Sequence, residues 1–255
     1  LLAYETEPDN LDPSPGAVRV TTREALSDLR CCLSDKFPEI KGKMNRTDRF
    51  LGAWLHQHGY KRAAPMPVAF TYALMGWAWF SGHHLLIPGL ILMFFSLFRP
   101  GEYFALDADD VLHGNAGPTL ITINRSKTSV AKGIKEVASL RDPQMIVLLR
   151  ATCPAHGPVW AGSILEYRDL FQLGCSSLGL TDYRLYSLRR GGASYLFSKI
   201  SMEELLIRGR WSSVKAARVY IEGGAAELSV RVKEHNFAIN QHTAFLLHQL
   251  RLLGL

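Results

Sequence analysis

The sequence predicts a mainly α-helical domain with a small β-hairpin or sheet, an α+β arrangement set after a small helical N-terminal part. Three observations point there. Residues 63–98 are strongly apolar and hold no Asp, Glu, Lys or Arg. Residues 119–140 become rich in β-branched side chains on either side of a turn. Most of the remaining segments repeat apolar residues at helical spacing. With 255 residues, 47% of them hydrophobic and 20% charged, the chain can bury one substantial core, or a large domain plus a small one, and its composition is neither disordered nor collagen-like.

In order along the chain, LLAYETEPDNLDPSPG is acidic and proline-rich. It lacks the basic and apolar regions of a signal peptide. The first residue is not Met, as expected of a fragment of a longer chain. Thr21 or Thr22 caps a helix with Glu24 in its first turn and Ala25, Leu26, Leu29 and Leu33 on one stripe. A second helix is expected from Asn45 or Thr47 through Phe50, Leu51, Trp54 and Leu55 to a stop at Gly59. Two helices make too small a core to stand alone. Residues 1–58 are therefore expected to form a small helical N-terminal region, and 59–255 the main domain. Charge divides the same way: residues 1–58 carry 8 Lys and Arg against 9 Asp and Glu, which leaves 21 against 14 for the rest.

A membrane hairpin has to be weighed for residues 63–98. Pro65 and Pro67 start a helix near Val68, and Ser81-Gly82-His83-His84 ends it near Phe80, about 13 residues on. Leu85 to Phe98 gives 14 more, with Pro88 and Gly89 near its start. A bilayer span needs about 20 residues, so these lengths fit buried core helices, and no membrane partner is expected. Asp107, Asp109 and Asp110 could hold a divalent cation, but no partner carboxylate box accompanies them, and an acidic surface turn is the better reading. His56 with His58, and His83 with His84, do not share a helix face and make poor metal pairs. The four cysteines, Cys31, Cys32, Cys153 and Cys175, show no zinc spacing and read as reduced thiols of an intracellular protein.

Thr119 to Asn124 and Ile134 to Leu140 read as paired strands, with Ser126 to Gly133 as their turn. Helices follow at Pro143 to Leu149 and Ser163 to Leu178. Another begins at Tyr186 or Ser187, with Gly191-Gly192 allowing a backbone to come close. Two more are expected at Ala225 to Lys233 and Ala244 to Leu253, and the last is apolar enough to need a covering surface.

Chemistry concentrates between Tyr186 and Tyr220. From Arg184 to Arg218 the basic residues are Arg184, Arg189, Arg190, Lys199, Arg208, Arg210, Lys215 and Arg218, and the only acids are Glu203 and Glu204. A polyanion is the natural partner of such a stretch. An arginine fork matches two phosphate oxygens at once, and an arginine beside a tyrosine hydroxyl can stabilise a phosphoryl transition state.

The string Y-S-L-R-R-G-G-A-S, then G-R-W-S-S, then Tyr220, resembles the C-terminal catalytic boxes of the tyrosine recombinases, integrases that exchange DNA strands through a 3′-phosphotyrosine link. In that family a His or Trp stands nine positions before the nucleophile, as Trp211 stands before Tyr220. R-P-G-E-Y-F-A-L from Arg99 resembles the first box, and Lys127-Thr128 resembles the lysine of the family's hairpin. The likeness covers roughly Pro65 to Ile221, and R-R-G-G-A-S with G-R-W is most similar to integrases of eukaryotic retroelements. It implies a recombinase-like catalytic domain after a reduced or truncated core-binding domain. Tyr220 would be the nucleophile, Arg99 and Arg189 would hold the phosphate oxygens, Trp211 would donate its indole N–H, and Lys127 would protonate the departing 5′-oxygen. Tyr186 stands where the family usually has His; it can donate a hydrogen bond but is a poor base near pH 7. The implied chemistry uses neither cofactor nor metal, because the phosphodiester's energy is kept in the phosphotyrosine. The implied partners are double-stranded DNA and further copies of the chain, joined through the C-terminal helix, and the implied place is the nucleus. The alternative is a DNA-binding protein of the same fold that no longer cuts.

Overall fold

A computed structural model describes residues 32, 33, 36–38, 63–114, 117–124, 135–180, 183–221 and 236–254. Contacts divide the chain into two compact units, Leu1–Arg62 and Ala63–Leu255, and the second contains the sheet and the helices around it. Nearly all of the helix expected from Thr22, and all of those expected before Gly59 and from Ala225 to Lys233, lie outside the described residues.

Helix α1 runs Val68–Phe80, as the prolines before it and the glycine after it predict; Pro67 is its extended N-cap and Gly82 turns the chain away at φ 77°. Its buried residues, Phe70, Thr71 and every position from Ala73 to Ala78, surround the axis. A helix that is apolar all round must be covered on several sides. Residues His84–Leu86 form a 3₁₀ turn into α2, Ile87–Phe95, whose nine residues are all buried. Each large apolar side chain enclosed there contributes roughly 1.5–3 kcal/mol. The second apolar helix is therefore shorter than the expected Leu85 to Phe98. It stops because Ser96 leaves the helix and Leu97 crosses to φ 55°. Leu97 and Phe98 are nonetheless fully buried, so hydropathy runs on past the helix end. Among the described residues no helix is long and apolar enough to cross a membrane.

After the short helix α3, Pro100–Tyr103, three strands form an antiparallel sheet in the order β1-β2-β3: Val111–His113, Thr119–Ile123 and Glu136–Leu140. Register places Val111, Ile121 and Ala138 in one row, all facing the core. β1 is a third strand beyond the expected pair, too short to show a pattern in sequence. The acidic run before it is structural, for the backbone N–H of Asp107 donates to Asp110 Oδ2 at 3.3 Å and Asn124 donates to Asp110 Oδ1 at 2.6 Å.

Helices α4, Pro143–Thr152, and α5, Ile164–Ser177, begin at side-chain caps: Asp142 accepts from the N–H of Met145, and Ser163 from that of Glu166. Then come α6, Leu185–Phe197, α7, Met202–Gly209, α8, Val214–Ile221, and α9, Asn236–Leu252. The cover that α1 needs comes from α2, α5, α6 and α9, which all pack on it. α9 begins well before the expected Ala244. It buries Ile239, Leu246 and Leu250, and Phe245 meets Phe80 of α1 edge-on with centroids 5.4 Å apart. A Cβ on Gly76 of α1 would collide with the His242 carbonyl, so that glycine sets how closely the two helices approach. Part of the apolar C-terminus is thus covered by α1 of the same chain, while Phe237, Leu247 and Leu252 stay exposed.

Candidate active site

Arg99 emerges where Leu97 and Phe98 have turned the chain out of α2. It is the N-cap of α3, with φ −77° and ψ 148°, not the end of the apolar helix as the sequence implied. A cation is unfavourable at a helix N-terminus. Glu102, one turn on, compensates: its carboxylate accepts the Arg99 backbone N–H at 2.9 Å and Arg99 Nη1 at 2.5 Å. Burial acts to weaken the Arg99 proton, but the Glu102 charge outweighs it and the guanidinium is held more firmly protonated than usual.

α6 carries Tyr186, Arg189 and Arg190 into place. A Cβ on Gly191 would strike the Met66 carbonyl and one on Gly192 the Phe94 carbonyl, so these two glycines let α6 sink against α2 and the segment before α1. Arg189 is in consequence fully buried. Its Nη1 donates to the Leu97 carbonyl, its Nη2 to the Gly209 carbonyl at 2.8 Å, and its guanidinium lies 5.2 Å from the Trp211 ring and 5.4 Å from the Tyr220 ring. Burial, with Arg210 and Arg99 nearby, pushes its pKa down to about 10, which leaves it a cation at neutral pH. Arg190 donates instead to the Ala63 carbonyl and anchors the chain before α1.

α7 ends in Arg210 at φ 55° and ψ 43°, the left-handed cap that glycine most often supplies. The turn delivers Trp211, 8% exposed, against Tyr220 of α8 with ring centroids 4.8 Å apart. Among the described residues, Trp211 Nε1 and Arg189 Nε are buried donors without a hydrogen-bond acceptor. Both side chains pack on the Tyr220 ring, and donors left open there suit a site for an anion.

Tyr220 Oη lies 2.5 Å from Tyr186 Oη. Burial acts to raise the Tyr220 phenol, but the hydrogen bond from Tyr186 and the charges of Arg189 and Arg99 outweigh it, and the net shift is downward. Burial, and the hydrogen bond to Tyr220, push Tyr186 up to about 12. Of the two, Tyr220 is thus the oxygen better prepared to carry charge. Beside them a cavity of about 520 Å³ opens between Pro100, Arg168, Arg184 and Tyr186 over Phe171 and Leu185.

Arg99, Tyr186, Arg189, Trp211 and Tyr220, named from sequence, come together; Lys127 lies outside the described residues. Two members of the cluster were missed. Glu102 takes Arg210 Nη2 on Oε2 at 2.7 Å, with Arg189 Nη1 4.0 Å from the same oxygen. Burial acts to raise the Glu102 carboxyl, but Arg210, Arg99 and Arg189 together hold it below the usual range. The i,i+3 spacing from Arg99 was a usable sign of Glu102. Arg210 was counted with a polyanion-facing surface, whereas its side chain is only 6% exposed. Nothing in its sequence neighbours separates it from Arg208.

No family model matches the sequence, and no curated protein matches it. Among solved structures the chain is similar to the XerA recombinase, with a TM-score of 0.52 and 11% identity over 85% of this chain and 84% of that one. The fold is therefore mainly helical with a small three-stranded antiparallel sheet, and it resembles a tyrosine recombinase catalytic domain.

Proposed function

We propose that this protein cleaves and rejoins double-stranded DNA through a 3′-phosphotyrosine intermediate. The observation that carries the reading is the convergence of Arg99, Tyr186, Arg189, Trp211 and Tyr220, drawn from α3, α6, α8 and the loop between α7 and α8, on one hydroxyl pair. Tyr220 Oη, its proton released to solvent, attacks the scissile phosphorus as the bond to the 5′-oxygen breaks. Arg99 and Arg189 offset charge on the non-bridging oxygens, and Trp211 Nε1 donates to one of them. Tyr186 holds the attacking oxygen by its hydrogen bond. Lys127 gives its proton to the departing 5′-oxygen, and attack of a 5′-hydroxyl on the phosphotyrosine reverses the sequence. The bond energy is conserved throughout, so the chemistry calls for no nucleotide or metal.

In this reading residues 1–58 belong to a reduced core-binding region, and the protein acts in the nucleus for a mobile element. The retroelement type rests on the R-R-G-G-A-S and G-R-W forms alone. Assembly of copies on DNA through the C-terminal helix would use the exposed Phe237, Leu247 and Leu252 of α9.

The deciding experiment uses a nicked suicide duplex, from which the cut end diffuses away. Supported, the reading gives a protein–DNA adduct that survives denaturant and vanishes in Tyr220→Phe. The second reading, DNA binding without cleavage, is favoured by Tyr186 in place of His; it gives salt-dependent binding and no adduct.

A further inference from the structure

Among the described residues, only Leu97 and Arg210 hold a positive φ without being glycine, each at 55°. They touch, since Arg210 Nη2 donates to the Leu97 carbonyl at 3.1 Å. Left-handed backbone is unfavourable for an L-residue and persists where the surroundings over-determine it. Two such residues hydrogen-bonded to each other beside Arg99 and Trp211 call for a common cause.

The Arg210 side chain, 6% exposed, is too deeply set to meet a ligand lying on the surface. Its two terminal nitrogens are hydrogen-bonded within the protein instead, and its Nε is not. Nη2 binds Glu102 Oε2 at 2.7 Å, Nη1 reaches the Ser96 carbonyl at 3.3 Å and that of Arg208 at 3.4 Å, and Nε lies 3.5 Å from Glu136 Oε2 on β3. The acceptors it occupies are those nearest Arg189: the Leu97 carbonyl takes bonds from both arginines, and Arg189 Nη1 stands 4.0 Å from the oxygen that Arg210 binds. One carboxylate therefore serves three guanidinium groups. Without Arg210, Glu102 would be shared by Arg99 and Arg189 alone, drawing both inward and cancelling half of their charge.

We propose that Arg210 is a positioning residue: it occupies Glu102 and the Leu97 carbonyl from inside the protein, so that the guanidinium charges of Arg99 and Arg189 remain directed at the Tyr220 hydroxyl and the anion it engages. That the anion is a DNA phosphate rests on the function proposed above; the link from Arg210 through Glu102 to Tyr220 does not. The left-handed turn is the device that makes this arrangement. It sends residue 210 back beneath the site while its neighbour, Trp211, faces Tyr220.

Tyrosinate absorbance, titrated in each protein and in its Tyr220→Phe counterpart, isolates the Tyr220 phenol by difference. The groups facing that phenol are Tyr186 and Arg189 from α6, Arg99 at the head of α3, and Trp211. Arg210→Gly removes the guanidinium and relieves the backbone. Arg210→Gln keeps an amide donor for the Leu97 carbonyl and loses the charge, and it decides the matter if the glycine variant does not fold. Both should move the Tyr220 midpoint up by at least about half a pH unit, and Arg210→Lys should recover part of the shift. On nicked duplex both should form adduct at least about tenfold more slowly, with the half-saturating DNA concentration changed less than about threefold. A folded Arg210→Gln protein with the parental Tyr220 midpoint overturns the proposal, whether or not the parent cuts DNA. A parent that forms no adduct, in which the midpoint still responds to Arg210, overturns the recombinase reading and upholds the positioning role.

Discussion

The hydroxyls of Tyr186 and Tyr220 lie 2.5 Å apart, and their environments push them in opposite directions, Tyr186 up to about 12 and Tyr220 below the usual phenol range. Tyr220 is the more acidic of the two, so Tyr186 is placed to donate to its anion. Tyr186→Phe removes the hydrogen bond that holds Tyr220 down, so the Tyr220 midpoint rises and the alkaline rise of adduct formation moves to higher pH. At neutral pH the variant is slower than the parent, and the gap closes as pH increases. Tyr186→His, by contrast, supplies a group that exchanges protons near neutrality and should speed the reaction there. Single-turnover rates across pH check both; a Tyr186→Phe profile identical to the parent's would remove Tyr186 from the site.

Arg99 and Arg189 should behave differently when removed. Arg99 is partly exposed and bonded to one carboxylate, so Arg99→Ala slows cleavage by at least about 100-fold while the fold survives. Arg189 is fully buried and satisfies the Leu97 and Gly209 carbonyls. Arg189→Ala therefore loses the same rate and, in addition, roughly 1–3 kcal/mol of stability, because the buried Gly209 carbonyl loses its side-chain donor while the Leu97 carbonyl keeps that of Arg210. Denaturant unfolding beside the cleavage assay separates the two; equal stability loss in both variants would mean that depth does not distinguish them.

The helices around the site were legible because their starts and stops are local chemistry: Pro67 before α1, Gly82 after it, Ser163 with Glu166 at α5. The end of α2 was not, because Leu97 takes a glycine-like conformation with a side chain that belongs to the core. Arg99, Arg189, Trp211 and Tyr220 stood out by their resemblance to the boxes of the tyrosine recombinases. The division of labour among the arginines did not, for it is decided by depth, and depth at α6 depends on Gly191 and Gly192 meeting backbones far away in sequence. Arg210 illustrates the limit. A surface cation and a buried one look alike until the fold places a carboxylate beside one of them.

The cavity beside Tyr186 has an arginine pair, Arg168 and Arg184, over an apolar floor. If a duplex is bound across the site, these two cations meet its backbone. Arg168→Ala with Arg184→Ala should weaken DNA binding uniformly across sequences and reduce the slope of log affinity against log salt by about 1–2. Titrations at several salt concentrations read the slope, and an unchanged slope would place the DNA path elsewhere.

Gly76 offers a way to loosen α9 without touching the site. A Cβ there collides with the His242 carbonyl, so Gly76→Val should push α9 off α1 and expose the surface that covers Ile239, Leu246 and Leu250. Deleting α9 should do the same more severely and give a protein that aggregates, since apolar surface on α1 is left open. Hydrogen exchange of α9 and gel filtration check this. A Gly76→Val protein with parental exchange rates would show that the contact tolerates the extra carbon.

Glu102 should set the acid limit of the fold. Its folded carboxyl titrates below its ordinary range, against the pull of burial, because Arg210, Arg99 and Arg189 surround it. A depressed folded value means that the unfolded chain binds the proton first. The stability contributed is therefore fully present above the ordinary glutamate range, falls as pH drops through that range toward the folded value, and is gone below it. Glu102→Gln removes the titration but leaves three cations without their carboxylate, so it should lower stability at neutral pH and flatten the decline in acid. Protonated Glu102 and Gln are close in shape, and the two unfolding curves should converge in acid. Denaturant midpoints measured from neutral pH down through the glutamate range test this. Parallel curves, offset by a constant amount at every pH, would mean that the Glu102 charge does not hold the arginine cluster together.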